Sequence, residues 1–250
     1  IRNYRKYFSS DYIKLFDKWN DKLKDFDLLH IFKVNIESFQ LMNLAKSSGL
    51  PIIISSVVPM EKAINIAYNR MICNLFKVHT GYWFLGKMLS EANAIICQTH
   101  SEAVFIKKYY GAKENRIEII PNGLSIELSE SYRGLIKNRI GVKGDYVLQV
   151  GRFDRNKNQL AVIRAMADTD IPIIFIGGGD NYEPEYYEIC RRQATSNMFF
   201  LGWISNDDPL LASAYMNARV IVFPSKNEIF GNALIEGAAA GANLVVSKTV

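Results

Sequence analysis

Short apolar runs and stretches of helical periodicity alternate along this chain from end to end. Tyr12, Leu15, Phe16, Trp19, Leu23 and Phe26 recur at helical spacing with lysines and aspartates between them, which predicts an opening amphipathic helix with its aromatic stripe in a core. Residues 27–32 then read as a buried-type strand, 37–48 as a helix and 51–55 as a second strand. Ile64, Tyr68, Met71 and Leu75 mark a long helical stretch that runs, with a break near Gly81, to about Ser90. Residues 94–97 form a third strand, 102–109 a helix and 117–120 a fourth strand, closed by Pro121-Asn122-Gly123.

After a polar stretch without strong period, 124–144, the pattern restarts. Strands are expected at 145–150, 172–176, 198–201, 219–223 and 243–247, with helices opening at Asn158, near Glu185, at Asp208 and at Gly231. Strands alternating with helices imply parallel sheets covered on both faces. The reading is α/β: a partial Rossmann-like domain at 1–123, a linker at 124–144 and a second doubly wound domain at 145–250. In such sheets ligands bind beyond the carboxyl ends of the strands.

Composition narrows the class. Half of the 250 residues are apolar and about a fifth charged, the balance of a globular protein with real cores. No apolar run approaches the roughly 18 residues of a membrane span and no signal peptide opens the chain, so a cytoplasmic protein is expected. Starting at Ile1 and stopping at Val250 directly after an apolar strand, the sequence reads as a fragment. Cys73, Cys97 and Cys190 are far apart and odd in number, which suits buried thiols and neither a disulfide framework nor a zinc site. Charge is uneven: 21 Lys+Arg against 13 Asp+Glu up to Lys143, then 9 against 12 from Gly144. The basic first part fits an acidic acceptor or peripheral contact with an anionic membrane at its inner face, and equally a solvated surface. Nucleic acid is not expected, because the cations are scattered and not interleaved with aromatics.

The chemistry concentrates at strand ends in the second half. Glu228 falls on the turn after strand 219–223, and Glu236 lies eight positions on. Between them the backbone N–H groups of Gly231, Asn232 and Ala233 enter the first turn of a helix, where unpaired donors and the macrodipole suit a diphosphate. The Glu236 carboxylate is then placed to accept hydrogen bonds from a ribose. Gly151, after the first strand of this half, admits close backbone approach, while Arg152 and Lys157 offer a fork and a point charge to a diphosphate. Gly177-Gly178-Gly179-Asp180 lacks the spacing of a dinucleotide fingerprint and reads as a plain loop. Asp25-Phe26-Asp27 and Asp168-Thr169-Asp170 imitate a divalent-ion motif, yet both precede their strands and so read as solvated turns.

The two glutamates with seven residues between them, the Gly231-Asn232-Ala233 turn, Gly151-Arg152 with Lys157, and the segments 92–99, Ser101-Glu102 and 116–123 together resemble retaining glycosyltransferases of sequence family 4 (group 1). The resemblance implies GT-B architecture, two Rossmann-like domains facing a cleft, here truncated at both ends. It implies a nucleoside diphosphate sugar as donor and a glycan or lipid-linked acceptor bound by the first domain, with the configuration retained. It also implies Glu228 as the catalytic residue near the sugar, base contacts at Trp203 and Ile204, and neither metal nor other cofactor. Trp203 packing beneath its loop is the alternative. Many members carry a histidine after the strand matching 51–55; here that place reads Ser55-Ser56-Val57-Val58-Pro59, so no catalytic histidine is assigned. A nucleotide-sugar epimerase or hydrolase of the same architecture, or a non-catalytic nucleotide-binding protein, remain the other readings.

Overall fold

A computed structural model describes residues 13–32, 34–58, 63–124 and 126–248. They divide into two compact units, Ile1–Asn122 and Gly123–Val250. The first runs β1 (Leu29–Ile31), α1 (Ile36–Ser47), β2 (Ile52–Ser55), α2 (Ala63–Phe76), α3 (Gly81–Glu91), β3 (Ala94–Cys97), α4 (His100–Tyr110) and β4 (Ile117–Ile119). Its strands are all parallel, in the order β1-β2-β3-β4. Ile52 and Ile54 on β2 and Ile95 and Cys97 on β3 are buried with Met42, Met88, Leu89 and Ile106 from the helices.

Local chemistry sets the helix ends. Asn35 and Ser38 form a reciprocal capping box at the start of α1. Thr99 caps α4, and Gly111 closes it in the left-handed region at φ 70°. Glu102, fully buried in α4, accepts hydrogen bonds from the N–H groups of Val58 (3.1 Å) and Gln98 (2.8 Å), tying together the segments that leave β2 and β3. Burial pushes its carboxyl above the usual carboxylate range, against the pull of those donors.

The expected opening helix does not form over the described residues. Residues 18–20 make a turn and Leu23–Asp25 a single 3₁₀ turn, while Trp19 is 83% exposed. The cause is local: Asp17 accepts from the Trp19 N–H (2.9 Å) and the Asn20 amide (2.7 Å), and Asp21 accepts from the Asp17 N–H (2.9 Å). Aspartates bonded to their own backbone compete with a helical ladder. Only Phe16 and Leu23 of that stripe reach the core, and Tyr12 lies outside the described residues. The long helical stretch is broken as expected, at 77–80, with Lys77 in the left-handed region at φ 53°.

The second unit runs α5 (Leu135–Ile140), β5 (Val147–Val150), α6 (Gln159–Met166), β6 (Ile173–Ile176), α7 (Pro184–Gln193), β7 (Met198–Phe200), α8 (Pro209–Asn217), β8 (Val220–Phe223), α9 (Asn232–Ala239) and β9 (Asn243–Val246). The polar stretch 124–144 contributes α5, whose buried Ile136 packs in the unit's core and donates its N–H to Ser213 Oγ (3.0 Å). The sheet order is β7-β6-β5-β8-β9, all parallel. One face buries Leu148, Ile174, Ile176 and Ile221 against Ile136, Leu211 and Tyr215; the other buries Ile173 and Phe175 against Val162, Ile163, Tyr186 and Cys190. This is a doubly wound layer, and the chain reverses its direction of travel between β5 and β8. The carboxyl ends of those two strands therefore flank the topological switch point.

Candidate functional site

Three glycines hold the strand exits together on one side of the switch point. The Gly151 N–H donates to Ile176 O (2.9 Å) and the Gly177 N–H to Gly202 O (2.8 Å). A Cβ on Gly177 would lie 2.0 Å from Gly151 O, at a φ of 148° that side chains rarely adopt, so glycine is obligatory there. The segments then run on side by side: the Phe153 N–H donates to Gly178 O (2.8 Å), with a parallel bridge between Phe153 and Gly179.

That pairing gives Gly177-Gly178-Gly179-Asp180 a role its composition did not reveal. Asp180 is buried and its carboxylate meets Arg152 Nε at 2.8 Å, while Asp154, also buried, meets the same guanidinium at 3.1 Å. Arg152, 59% exposed along its side chain, is thus held on a carboxylate pair and presents the rest of its fork outward. Asp154 also accepts from the Lys157 N–H (2.8 Å), which fixes the turn into α6. Neither aspartate was singled out from sequence; a buried acid two residues from Arg152 becomes visible only through the β5–β6 pairing.

Lys157 and Glu228 form an ion pair, with side-chain exposures of 23% and 13%. The Lys157 stem lies within 3.7–3.8 Å of the position a Gly151 Cβ would take, and its ammonium stands 5.2 Å from the Phe223 ring centroid. The loops that carry the pair are stitched together. The Asn156 side chain exchanges hydrogen bonds with the Asn227 backbone (2.9 and 3.0 Å), and the Lys226 N–H donates to Asn156 O (2.8 Å). Asn158, left-handed at φ 58°, stands at the start of α6 and reaches Pro224 O. Two residues separated by 71 positions are thereby brought into contact at the ends of β5 and β8.

Gly231, at φ 71°, opens α9, and the Leu234 and Ile235 N–H groups turn back to its carbonyl. Asn232 and Ala233 occupy the first turn, the end at which helix donors and the positive end of the dipole stand. Glu236 sits deeper, 5% exposed, its Oε2 accepting from the Tyr215 hydroxyl (2.8 Å) and its Oε1 from the Asn206 amide (3.3 Å). Burial raises its carboxyl above the usual range, against the lowering effect of Tyr215. Tyr215 on α8 and Asn206 after β7 were not found by sequence reasoning; only the packing of α8 against α9 brings them to Glu236.

Trp203 follows Gly202 after β7 and is 75% exposed, so it does not pack beneath its loop; Ile204 does pack against the core. Asp168 and Asp170 precede β6, and Asp25 and Asp27 precede β1, at the amino ends of their sheets as expected. Among the described residues no group of three or more His, Cys, Asp or Glu side chains gathers as a metal site. The three cysteines are buried, and burial pushes the Cys97 and Cys190 thiols to about 11. His30 lies within β1, where its Nε2 meets Ser55 Oγ at 2.9 Å. No helix among the described residues is long and apolar enough to cross a membrane.

Comparison with known proteins agrees with this geometry. The chain is 31% identical over 171 residues to an uncharacterised glycosyltransferase of Methanocaldococcus jannaschii, covering 63% of this chain and 43% of that protein. It is 26% identical over 233 residues to the phosphatidyl-myo-inositol mannosyltransferase of Mycolicibacterium smegmatis, covering 89% and 54%. The chain thus spans about half the length, or less, of these curated relatives. Among solved structures it resembles the Anabaena protein HepE in complex with UDP and glucose (TM-score 0.69, 16% identity, 90% of this chain and 60% of that one). It also resembles the sucrose-phosphate synthase of Thermosynechococcus elongatus (TM-score 0.70, 19% identity, 90% and 57%). These likenesses establish the fold as GT-B. Residues 135–250 match the family model for glycosyl transferases group 1.

Proposed function

We propose that the protein transfers a sugar from a nucleoside diphosphate donor to a glycan or lipid-linked acceptor, with retention and without a metal ion. The observation that carries the reading is the convergence, at the β5/β8 switch point, of Arg152, Lys157, Glu228 and the N-terminus of α9. As the anomeric bond breaks, negative charge grows on the departing diphosphate and positive character on the sugar ring. Arg152, Lys157 and the backbone N–H groups of Gly231, Asn232 and Ala233 stabilise the first, while Gly151 leaves room for the diphosphate to approach. Lys157 leaves Glu228 for the phosphate when donor binds, which frees the glutamate to hold sugar hydroxyls beside the ring. Glu236, oriented by Tyr215 and Asn206, takes the ribose, and Trp203 with Ile204 faces the base. HepE, a structural neighbour, was solved in complex with UDP and glucose, which supports a nucleotide-bearing donor. The acceptor binds the basic first unit, which also contacts an anionic membrane on its cytoplasmic face.

The test is proton NMR of the reaction with nucleoside diphosphate sugars in the presence of EDTA. A glycosylated acceptor with the donor's anomeric configuration supports the reading. An inverted product, an epimerised donor, hydrolysis alone, or binding without turnover each overturns it in favour of a different class.

A further inference from the structure

The donor site holds more carboxylates than cations. Asp154 and Asp180, both buried, converge on the single guanidinium of Arg152 at 3.1 and 2.8 Å. Lys157 is matched one to one by Glu228, and Arg155 beside them by Glu183 at 3.7 Å. In these pairs three cations face four carboxylates, so one negative charge is left over at the 151–157 loop before any ligand arrives. Buried charges are ordinarily paired, and a surplus one is costly to keep. Nor are its oxygens free for a divalent ion. Asp154 Oδ1 accepts from the Lys157 N–H (2.8 Å) and Asp180 Oδ1 from the Tyr182 N–H (2.9 Å), while both Oδ2 atoms face Arg152. One carboxylate is enough to hold a guanidinium in place. The second therefore acts through its charge, and that charge is felt by whatever anion Arg152 binds.

The reaction proposed above changes the charge of the ligand at this place. In a nucleoside diphosphate sugar each phosphate is doubly substituted and carries one negative charge, two in all. When the bond from the anomeric carbon to the diphosphate oxygen breaks, the electron pair stays with that oxygen. The acceptor's hydroxyl oxygen takes its place on the carbon, and the hydroxyl proton is released to solvent. The departing diphosphate then ends in a phosphate monoester, whose second ionisation is complete above pH ~6, and so carries three charges. We infer that Asp180 and Asp154, by placing two carboxylates on one guanidinium, set the donor site to favour the dianionic sugar conjugate over the trianionic product and so speed the product's departure after transfer. Departure of product limits turnover in many enzymes, and a site built of cations alone would hold the trianion most tightly of all. This rests on the donor reading above and adds to it a means of telling substrate from product.

The experiment is titration calorimetry of the 250-residue chain in EDTA at a pH about two units above that ionisation, comparing UDP with UDP-glucose, GDP with GDP-mannose and ADP with ADP-glucose. The wild type is compared with Asp180→Asn and, separately, Asp154→Asn. Each substitution keeps the side chain's shape and leaves the other carboxylate on Arg152, and either one carries the test if the other fails to fold. The readout is the ratio of the two dissociation constants within a pair, because contacts to base and sugar cancel between wild type and variant. Each substitution should tighten the free diphosphate by about tenfold and the sugar conjugate by about threefold, a shift in the ratio of about threefold that shrinks as salt is added. Weaker binding of both ligands alike would make the carboxylates mere anchors for Arg152 and overturn the inference. So would equal tightening of both, or a wild-type affinity that magnesium raises and the substitutions leave insensitive to it. No nucleotide binding by the folded wild type overturns the donor reading and this inference together, whereas binding with an unchanged ratio overturns this inference alone.

Discussion

The Lys157–Glu228 pair lends itself to a decisive perturbation, because two roles proposed for it separate energetically. Both side chains are largely buried, and each is the other's ionic partner. Lys157→Met keeps the aliphatic stem beside Gly151 and Phe223 but strands the Glu228 carboxylate. Breaking one half of a buried pair costs about 3–5 kcal/mol, and the partial exposure of both groups puts this one near 3 kcal/mol. Glu228→Gln strands the ammonium at a similar cost of about 2–3 kcal/mol. The double variant removes both charges, so its stability should return to within about 1 kcal/mol of the wild type, a coupling of at least ~2 kcal/mol. Urea unfolding of the four proteins measures this directly, and contributions from the first unit cancel around the cycle. Nucleotide binding should behave oppositely, staying impaired in the double variant because the cation is gone. Additive stability losses, with coupling below ~1 kcal/mol, would refute the claim that the pair is a buried switch; restored nucleotide affinity in the double variant would refute the role of Lys157 toward phosphate.

Further expectations follow from single positions. Gly177→Ala should destabilise the chain by roughly 2–4 kcal/mol in thermal melts, whereas Gly178→Ala, with nothing within 4 Å of its Cβ, should cost under about 1 kcal/mol. Because burial holds the Glu236 carboxyl above its unfolded value, its contribution to stability is fullest when protonated and declines as pH rises through the folded-state value. Tyr215→Phe removes the donor that favours the ionised form, so it should destabilise by about 1 kcal/mol more at pH 8 than at pH 4, measured by denaturant unfolding. Trp203→Ala should leave the melting temperature nearly unchanged and weaken nucleotide binding by about 3- to 10-fold, read by calorimetry.

Most of the fold was legible because strand runs and turn residues here obey local rules. Every strand from β1 to β9 falls within or nearly within its expected range, and Asn158, Asp208 and Gly231 cap the helices expected to begin there. The opening segment failed for a reason visible in its residues: Asp17 and Asp21 satisfy backbone donors locally, and a periodic aromatic stripe could not outweigh them. At the candidate site, glycines and glutamates at strand ends could be picked out one by one, since position relative to a strand is a property of the sequence. Their partners could not. Asp180 reaches Arg152 through the register of β6 on β5, and Tyr215 reaches Glu236 through helix packing, neither of which any spacing encodes. The same limit applies to α2, whose periodicity predicted a helix without showing that its apolar stripe would face outward.

The central claim is that the ends of β5 and β8 bind a nucleoside diphosphate without a metal ion. Titration calorimetry with UDP, GDP and ADP, each with magnesium and with EDTA, on the wild type, Arg152→Ala and Glu236→Ala tests it most directly. One nucleotide should bind equally well in EDTA, and each substitution should weaken it by about tenfold or more, the loss of a charge-assisted hydrogen bond. Binding that requires magnesium, binding that neither substitution weakens, or no binding by the folded chain would contradict the account.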